Sequence, residues 1–380
     1  MSVNAWQTEE RKALVQLTAD FTKSEILPFA DEWERTGMVP LDLHKKAAAL
    51  GLLGIGVPEE VGGSGGDLID TLIFHDTMLR AGAPAGTLVA LTPHVIALPS
   101  VIKHGTSDQI DRFVRPVLAG EKVCALAVTE PSGGSDVGSL RTRGVADGDE
   151  WVISGPKTFI SSGHRADFVT VAARTSPEGK GAISLFVVET DRPGFTLGRK
   201  LEKMGWLSSD TAELHFDDVR VPQDNLIGTV HRGFPQLMVQ FQSERLLLAQ
   251  QCCALGRRAL DLTIDWVRQR DTFGAPLASR QVVAHRVAQM WERLEAAEAL
   301  VRQCALAMVE GDDVATQAAA AKNVAVAAAE WAAYQAVQLF GGMGYMRESE
   351  VERIYRDVRL YGIGGGTTEI MREIISRELL

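Results

Sequence analysis

Ala127-Val128-Thr129-Glu130-Pro131-Ser132-Gly133-Gly134-Ser135-Asp136 (AVTEPSGGSD) stands where the texture of the chain changes. Upstream, over residues 6–29 and 41–53, apolar side chains recur every three or four positions, the period of a helix with one buried face. Residues 54–67 (GIGVPEEVGGSGGD) break this pattern as a turn-rich loop, residues 68–81 resume it, and more helix is expected to about residue 118. From near Val123 the segments become short and rich in Val, Ile, Phe and Thr: residues 151–153, 168–173, 183–189 and 212–216. Clusters of Gly, Pro, Asp and Ser separate them, the pattern of antiparallel strands in a small β domain. The helical period returns at Gly233 and runs through residues 236–269, 279–310, 314–340 and 348–360, a set expected to form an antiparallel bundle. The reading is an α+β chain of three units: an N-terminal helical domain (residues 1–122), a middle β domain (123–228) and a C-terminal helical bundle (229–380).

The chain has 380 residues with 46% hydrophobic side chains, enough for a large core and for two or three packed units. Its net charge of −10, with no long Lys/Arg stripe, argues against nucleic acid as the main partner. Residues 1–22 mix Glu9, Glu10, Arg11 and Lys12 with scattered apolar residues, unlike a signal peptide or an Arg-rich transit peptide. A cytoplasmic location is therefore expected. The Ala-rich residues 314–340 are interrupted by Lys322 and Glu330 and read as a buried helix, with no membrane span expected. Cys124, Cys252, Cys253 and Cys304 lack metal-ligand or redox spacing and read as reduced buried thiols, with no metal site expected.

The decade 127–136 gathers hydroxyls and Gly-flanked amides, a surface suited to a flat heteroaromatic ring and phosphate oxygens. Taken alone it is equally a Gly/Ser turn after a strand. No G-x-G-x-x-G leads from a strand into a helix, so a Rossmann dinucleotide site is not supported.

Five further stretches follow in order: GPKTFISSG (155–163), KMGWLSSDTAELHFDDVRVP (203–222), RQRDTFG (268–274), QLFGGMGYMRE (338–348) and GGGTTEIMREIISREL (364–379). Together with AVTEPSGGSD they resemble the acyl-CoA dehydrogenase family in order and spacing over essentially the whole chain. The resemblance implies an N-terminal helical domain, a β-barrel-like middle domain and a C-terminal four-helix bundle. It implies FAD as cofactor, an acyl-CoA substrate, an electron-transfer flavoprotein as acceptor, and a homo-oligomer, usually a tetramer, serving fatty-acid β-oxidation in lipid metabolism.

Carried over position by position, the resemblance places Leu126, Val128 and Thr129 beside the flavin, with Thr129 hydrogen-bonding the ring. Gly134 and Ser135 would contact FAD, Ser135 also facing the CoA side, and Phe159, Ile160 and Ser161 would pack on the other flavin face. Many relatives carry Trp where Phe159 stands. Arg270, Thr272, Phe273, Gln281, Gln338, Gly341 and Gly342 match contacts that one subunit makes to its neighbour's FAD, with Arg270 on the pyrophosphate. Thr367 and Glu369 match residues near the adenosine, and Gln242, Arg245, Gly365 and Gly366 match the substrate side.

The catalytic base is the point of departure. Many relatives carry a Glu where this chain has Gly365, and glycine cannot take a proton. In the isovaleryl-CoA and long-chain branches the base lies instead directly before an Arg on an earlier helix, and the C-terminal position is small. Glu244-Arg245 together with Gly365 shows both halves of that exchange. The resemblance therefore implies that Glu244 removes the α-proton while hydride passes to flavin N5. The Gly365 amide would stabilise the enolate oxygen. Arg245 would fix either the helix or the CoA end, or serve in a structural ion pair. Two other readings remain open at this point: a flavin-dependent monooxygenase or oxidase on the same fold, and a catalytically silent family member.

Overall fold

Thr8 opens the first helix, α1 (Glu9–Phe21): its hydroxyl accepts the Arg11 N–H, and Glu9 and Glu10 occupy the first turn, where a helix end favours negative charge. The computed structural model describes residues 5–176 and 182–380. After α2 (Leu41–Ala49), the capping box of Asp67 and Asp70 starts α3 (Leu68–Arg80). Arg11 grips both carboxylates at 2.8 Å and so ties α1 to α3.

Eight strands follow: β1 (Cys124–Ala127), β2 (Arg143–Asp147), β3 (Glu150–Ser161), β4 (Phe168–Arg174), β5 (Ile183–Glu189), β6 (Phe195–Lys200), β7 (Thr211–Pro222) and β8 (Leu226–Ile227). Seven of them lie in the order β6-β7-β3-β2-β4-β5-β8, and β1 pairs with β4 off this path. The barrel-like expectation needs correction here. Among the described residues β6 and β8 are the two ends of the path and do not meet, so no barrel closes. Nor is every pair antiparallel, since β1 runs parallel to β4 with Cys124 opposite Phe168. On β4, Phe168 and Ala172 face one core while Val169, Val171 and Ala173 face another. Both faces are covered, which is why these strands read as continuous apolar runs.

The C-terminal third comprises α4 (Gly233–Gln269), α5 (Gln281–Val309), α6 (Ala315–Phe340), α7 (Glu350–Val358) and α8 (Thr368–Leu379). The Ala-rich α6 packs against the other four. Its small buried side chains, among them Ala325, Ala329 and Ala332, allow close approach, and Gly256 of α4 meets Ala329 and Leu294. One apolar core joins these helices to the N-terminal ones, from Phe21 and Leu88 through Leu246 to Ala329 and Tyr361. Among the described residues no helix is long and apolar enough to cross a membrane.

The loop before β7 ties all three parts together. Trp206, at φ +53°, donates its backbone N–H to Asp357 of α7 at 2.6 Å and sets its ring edge-on to Tyr361. Ser208 donates its backbone N–H to Glu34 and accepts from the Thr87 hydroxyl. Asp210 accepts from Arg165 and from the His164 backbone. Burial, with Glu34 nearby, pushes the Asp357 carboxyl up to about 7. The fold thus favours the protonated acid. This contribution to stability is full below the unfolded value of about 4 and is lost as pH rises through about 7. Asp357→Asn, which keeps an oxygen for the Trp206 N–H, should remove that slope. Denaturant melts between pH 4 and 8 should show wild-type stability falling relative to the variant by on the order of 2–4 kcal/mol.

Candidate active site

Glu244 lies on α4, one turn past the first apolar contacts that seat this helix against the sheet, Phe234, Leu237 and Phe241. The residue is half-buried, but Oε2 is sealed from solvent and has no hydrogen-bond partner. Burial pushes the carboxyl above its ordinary value, while Lys322 and Arg245 pull the other way. An unpaired buried carboxyl oxygen is costly, and such groups concentrate at functional sites. Arg245 is buried as well, and its Nε lacks a partner. Among the described residues Arg245 forms no ion pair at contact distance, and the carboxylate that acts on it electrostatically is the adjacent Glu244.

Facing Glu244 is the turn Gly364-Gly365-Gly366, between the 3-10 turn Arg359–Gly362 and α8. Gly365 (φ +64°) and Gly366 (φ +91°) adopt left-handed backbone that other residues enter at a cost. A Cβ on Gly365 would stand 2.3 Å from Leu248 Cδ1, 3.4 Å from Lys322 Nζ and 3.6 Å from Glu244 Oε1. The space where a side chain from position 365 would begin is already filled by α4. Lys322 of α6, fully buried, donates to the carbonyls of Gly364 and Gly366, the latter at 2.6 Å. Beside α4, a cavity of about 510 Å³ leads to Ser243 and is rimmed by Lys103, His104 and Arg232. Gln242 is half-buried on the same stretch of helix.

A second group surrounds the end of β1. Lys157 and Glu130 form a buried ion pair at 2.9 Å, and Lys157 also donates to the Val128 carbonyl at 2.9 Å. Glu130 in turn accepts the backbone N–H groups of Arg141 and Thr142. Thr129 accepts from the Thr158 N–H at 2.9 Å, which joins the strand end to β3. Beyond it the loop doubles back through the Glu130–Gly133 bridge and leaves Gly133, Gly134 and Ser135 exposed. Leu126 and Val128 pack on the same apolar cluster as Phe241 of α4, which brings this group and the Glu244 end of α4 around one core.

At a bulge in β3, Phe159 takes φ +59° and turns its ring outward, 68% exposed, with Ser161 half-buried beside it. Ile160 does otherwise: its side chain lies in the sheet core, so only its backbone faces this surface. An aromatic ring held outward on strained backbone, three residues before the orphaned Ser162 hydroxyl, suits a flat ring system such as an isoalloxazine.

The third group is remote. Arg270, Thr272, Gly341 and Gly342 line a cavity of about 540 Å³ with Trp266 and Phe340, whose rings stack at 4.7 Å. Gln281 and Gln338 are exposed, and Phe273 is wholly so at φ +50°. Because α4 is one unbroken helix up to Gln269, Arg270 lies roughly 40 Å from Glu244 along its axis. The two do not face the same reacting centre within one chain. Thr367 caps α8 by accepting the Ile370 N–H, and Glu369 is exposed beside Arg372.

Reading the sequence missed Glu130, Lys157 and Lys322. The last carried a signal, a lone cation inside an Ala-rich helix, since a buried charge needs partners.

Comparison with known proteins accounts for the whole arrangement. The N-terminal, middle and C-terminal acyl-CoA dehydrogenase domains match residues 8–121, 125–219 and 231–380. A Mycobacterium smegmatis protein provisionally assigned as an acyl-CoA dehydrogenase is 52% identical, with TM-score 0.98 and 99% of each chain covered. The rat mitochondrial long-chain specific acyl-CoA dehydrogenase is 38% identical over 95% of this chain and 84% of its own length. Butyryl-CoA dehydrogenase of Megasphaera elsdenii is 31% identical over the full length of both chains, with TM-score 0.94. The chain belongs to the acyl-CoA dehydrogenase family, FAD enzymes that oxidise acyl-CoA, and FAD is its cofactor.

Proposed function

We propose that the protein converts an acyl-CoA thioester to its trans-2-enoyl-CoA, with Glu244 as the base that takes the α-proton. The carrying observation is the sealed, partnerless Oε2 of Glu244 next to the Gly365 turn. A carboxylate in a dry site holds a raised pKa, and the higher basicity is what removing a weakly acidic C–H proton requires.

In this reading the cavity beside α4 receives the CoA portion, and its basic rim of Lys103, His104 and Arg232 meets the phosphates. Ser135, Gln242 and Arg245 would meet the substrate beyond the Ser243 end of that cavity. The α C–H bond breaks, its proton passes to Glu244, and the electron pair spreads onto the thioester oxygen. The N–H of Gly365 holds that oxygen, with Gly366 completing the turn. Among the described residues nothing accepts the Gly365 N–H, whereas the Gly364 N–H donates to Leu360 at 2.8 Å. Bound FAD supplies the acceptor for the β-hydrogen and its electron pair. Thr129, Phe159 and Ser161 would hold the ring, with Leu126, Val128, Gly134 and the Ile160 backbone around it. Thr367 and Glu369 lie toward the adenosine.

The remote group at Arg270 would complete the site of a second copy, since a single α4 keeps it far from Glu244. Such exchange needs at least a dimer, and a homotetramer is the proposed assembly. We place the enzyme in the cytoplasm, in fatty-acid β-oxidation, passing electrons to an electron-transfer flavoprotein.

Glu244→Gln is nearly isosteric, so bound flavin should remain while turnover falls about 10²–10⁴-fold. Wild-type kcat/KM should rise with pH through the elevated Glu244 pKa, with its acid limb above the ordinary glutamate range. Near-normal dye-linked dehydrogenation by Glu244→Gln would sink the assignment. Arg270→Gln should lower FAD affinity by about tenfold or more, read as the flavin-to-protein absorbance ratio and its recovery on adding FAD. Gly365→Ala should cost about 1–3 kcal/mol of stability, and pairing it with Leu248→Ala should return part of that loss in a double-mutant cycle.

A further inference from the structure

We propose that Lys322 is a positioning and polarising residue for the reaction: its ammonium grips the carbonyl of the peptide whose N–H, at Gly365, holds the enolate oxygen. The inference deepens the reading above and rests on it. Three consecutive glycines form the loosest backbone a chain can offer, yet an oxyanion donor must be fixed in direction. Gly364 C=O and Gly365 N–H belong to one planar trans peptide, so holding the oxygen on one side aims the N–H to the other. Lys322 Nζ takes that oxygen and also the Gly366 carbonyl, and so pins the peptide before Gly365 and the peptide after Gly366, at the two ends of the left-handed pair.

A neutral amide could tether two carbonyls at lower cost. Among the described residues Lys322 forms no ion pair, and a fully buried ammonium satisfied by carbonyls alone is expensive. Burial pulls Lys322 down to about 8, opposed by Cys252 and Glu244, so it is largely charged at neutral pH. Its charge has two uses when the α C–H pair moves onto the thioester oxygen. It withdraws electron density through the Gly364 carbonyl and strengthens the Gly365 N–H as a donor. It also offsets negative charge that leaves Glu244 and appears on the substrate a few ångströms away. The ammonium touches neither substrate nor cofactor.

The test uses the FAD-loaded enzyme with two ligands. Acetoacetyl-CoA ionises to an enolate bearing the charge of the reacting state. An S-alkyl-CoA thioether has the same CoA and chain but no carbonyl. Absorbance titration across pH gives the midpoint at which bound acetoacetyl-CoA ionises. Lys322→Met should weaken enolate binding by about ten- to hundredfold, raising that midpoint by about one to two pH values, with thioether affinity within about twofold. Lys322→Arg should recover part of the shift. Equal losses for both ligands would mean that Lys322 only supports the turn, and no change in either would mean that it does nothing for the oxygen; both overturn the proposal. If Lys322→Met does not fold, Lys322→Gln, which keeps one donor without charge, carries the same comparison.

The outcomes separate from those of the parent reading. If the wild-type enzyme does not lower the ionisation midpoint of acetoacetyl-CoA below its free value, the oxyanion role of Gly365 fails, and this proposal with it. If the wild type lowers it and Lys322→Met lowers it equally, only this proposal fails. Turnover by Glu244→Gln would sink the base and leave the Lys322 result standing, because a ligand already ionised needs no base.

Discussion

A single unbroken helix sets the distances on which the site depends. α4 carries the cavity wall at Gln236 and Ser243, the carboxyl of Glu244, the core residues Leu246 and Ala249, and the last turn before Arg270. A helix of 37 residues is rigid over more than 50 Å, so its two ends cannot bend toward one ligand. The fold separates the Glu244 end from the Arg270 end, and the association proposed above would supply the other half. That logic also accounts for side chains left bare in the lone chain. Phe273 and Gln338 are exposed at the remote end, whereas Phe159 is exposed at the face proposed for the flavin.

Buried charges do the fine positioning. Lys157 with Glu130 fixes the Val128 carbonyl and, through the amides of Arg141 and Thr142, the path of the following loop. Lys322 fixes the glycine turn. Asp357, a carboxyl that the fold favours protonated, receives the Trp206 N–H and links the β domain to the C-terminal helices. Each is expensive to desolvate, and apolar packing would give equal stability at less cost. Packing, however, does not set the direction of a peptide plane, and hydrogen bonds to a fixed charge do.

Much of this was legible in the sequence because its cause is local. The three-to-four period marked the helices, and the apolar runs at β4 and β5 marked strands covered on both faces. What escaped depends on contacts across the fold. β2 and β6 carry mostly exposed side chains and no apolar signal. Gly155-Pro156 reads as a break, yet β3 passes through it, because the register shift after Ile153 absorbs it and Gly155 (φ +143°) gives Thr142 room for close approach. Ile160 was expected at the flavin and lies in the core, since a bulge between Lys157 and Ile160 changes which side chain faces out. The family pattern located the glycine turn and Glu244, but nothing near Lys322 in the chain names its partners, 42 and 44 residues away.

The proposed exchange of a C-terminal carboxylate for one on α4 agrees with the packing as well as with the chemistry. With Leu248 filling the space beside Gly365, the turn can approach α4 closely enough for Lys322 to reach two of its carbonyls. A bulky residue at 365 would have to displace Leu248 and would face the same ammonium at 3.4 Å from its Cβ. Glu244 enters from the opposite wall, and its Oε1 comes within 3.6 Å of that same point without crossing the turn. The proposed base and the proposed oxyanion donor then sit on different elements. The backbone donor is thereby freed from carrying the base, and the glycine that removes the carboxylate also brings the amide close.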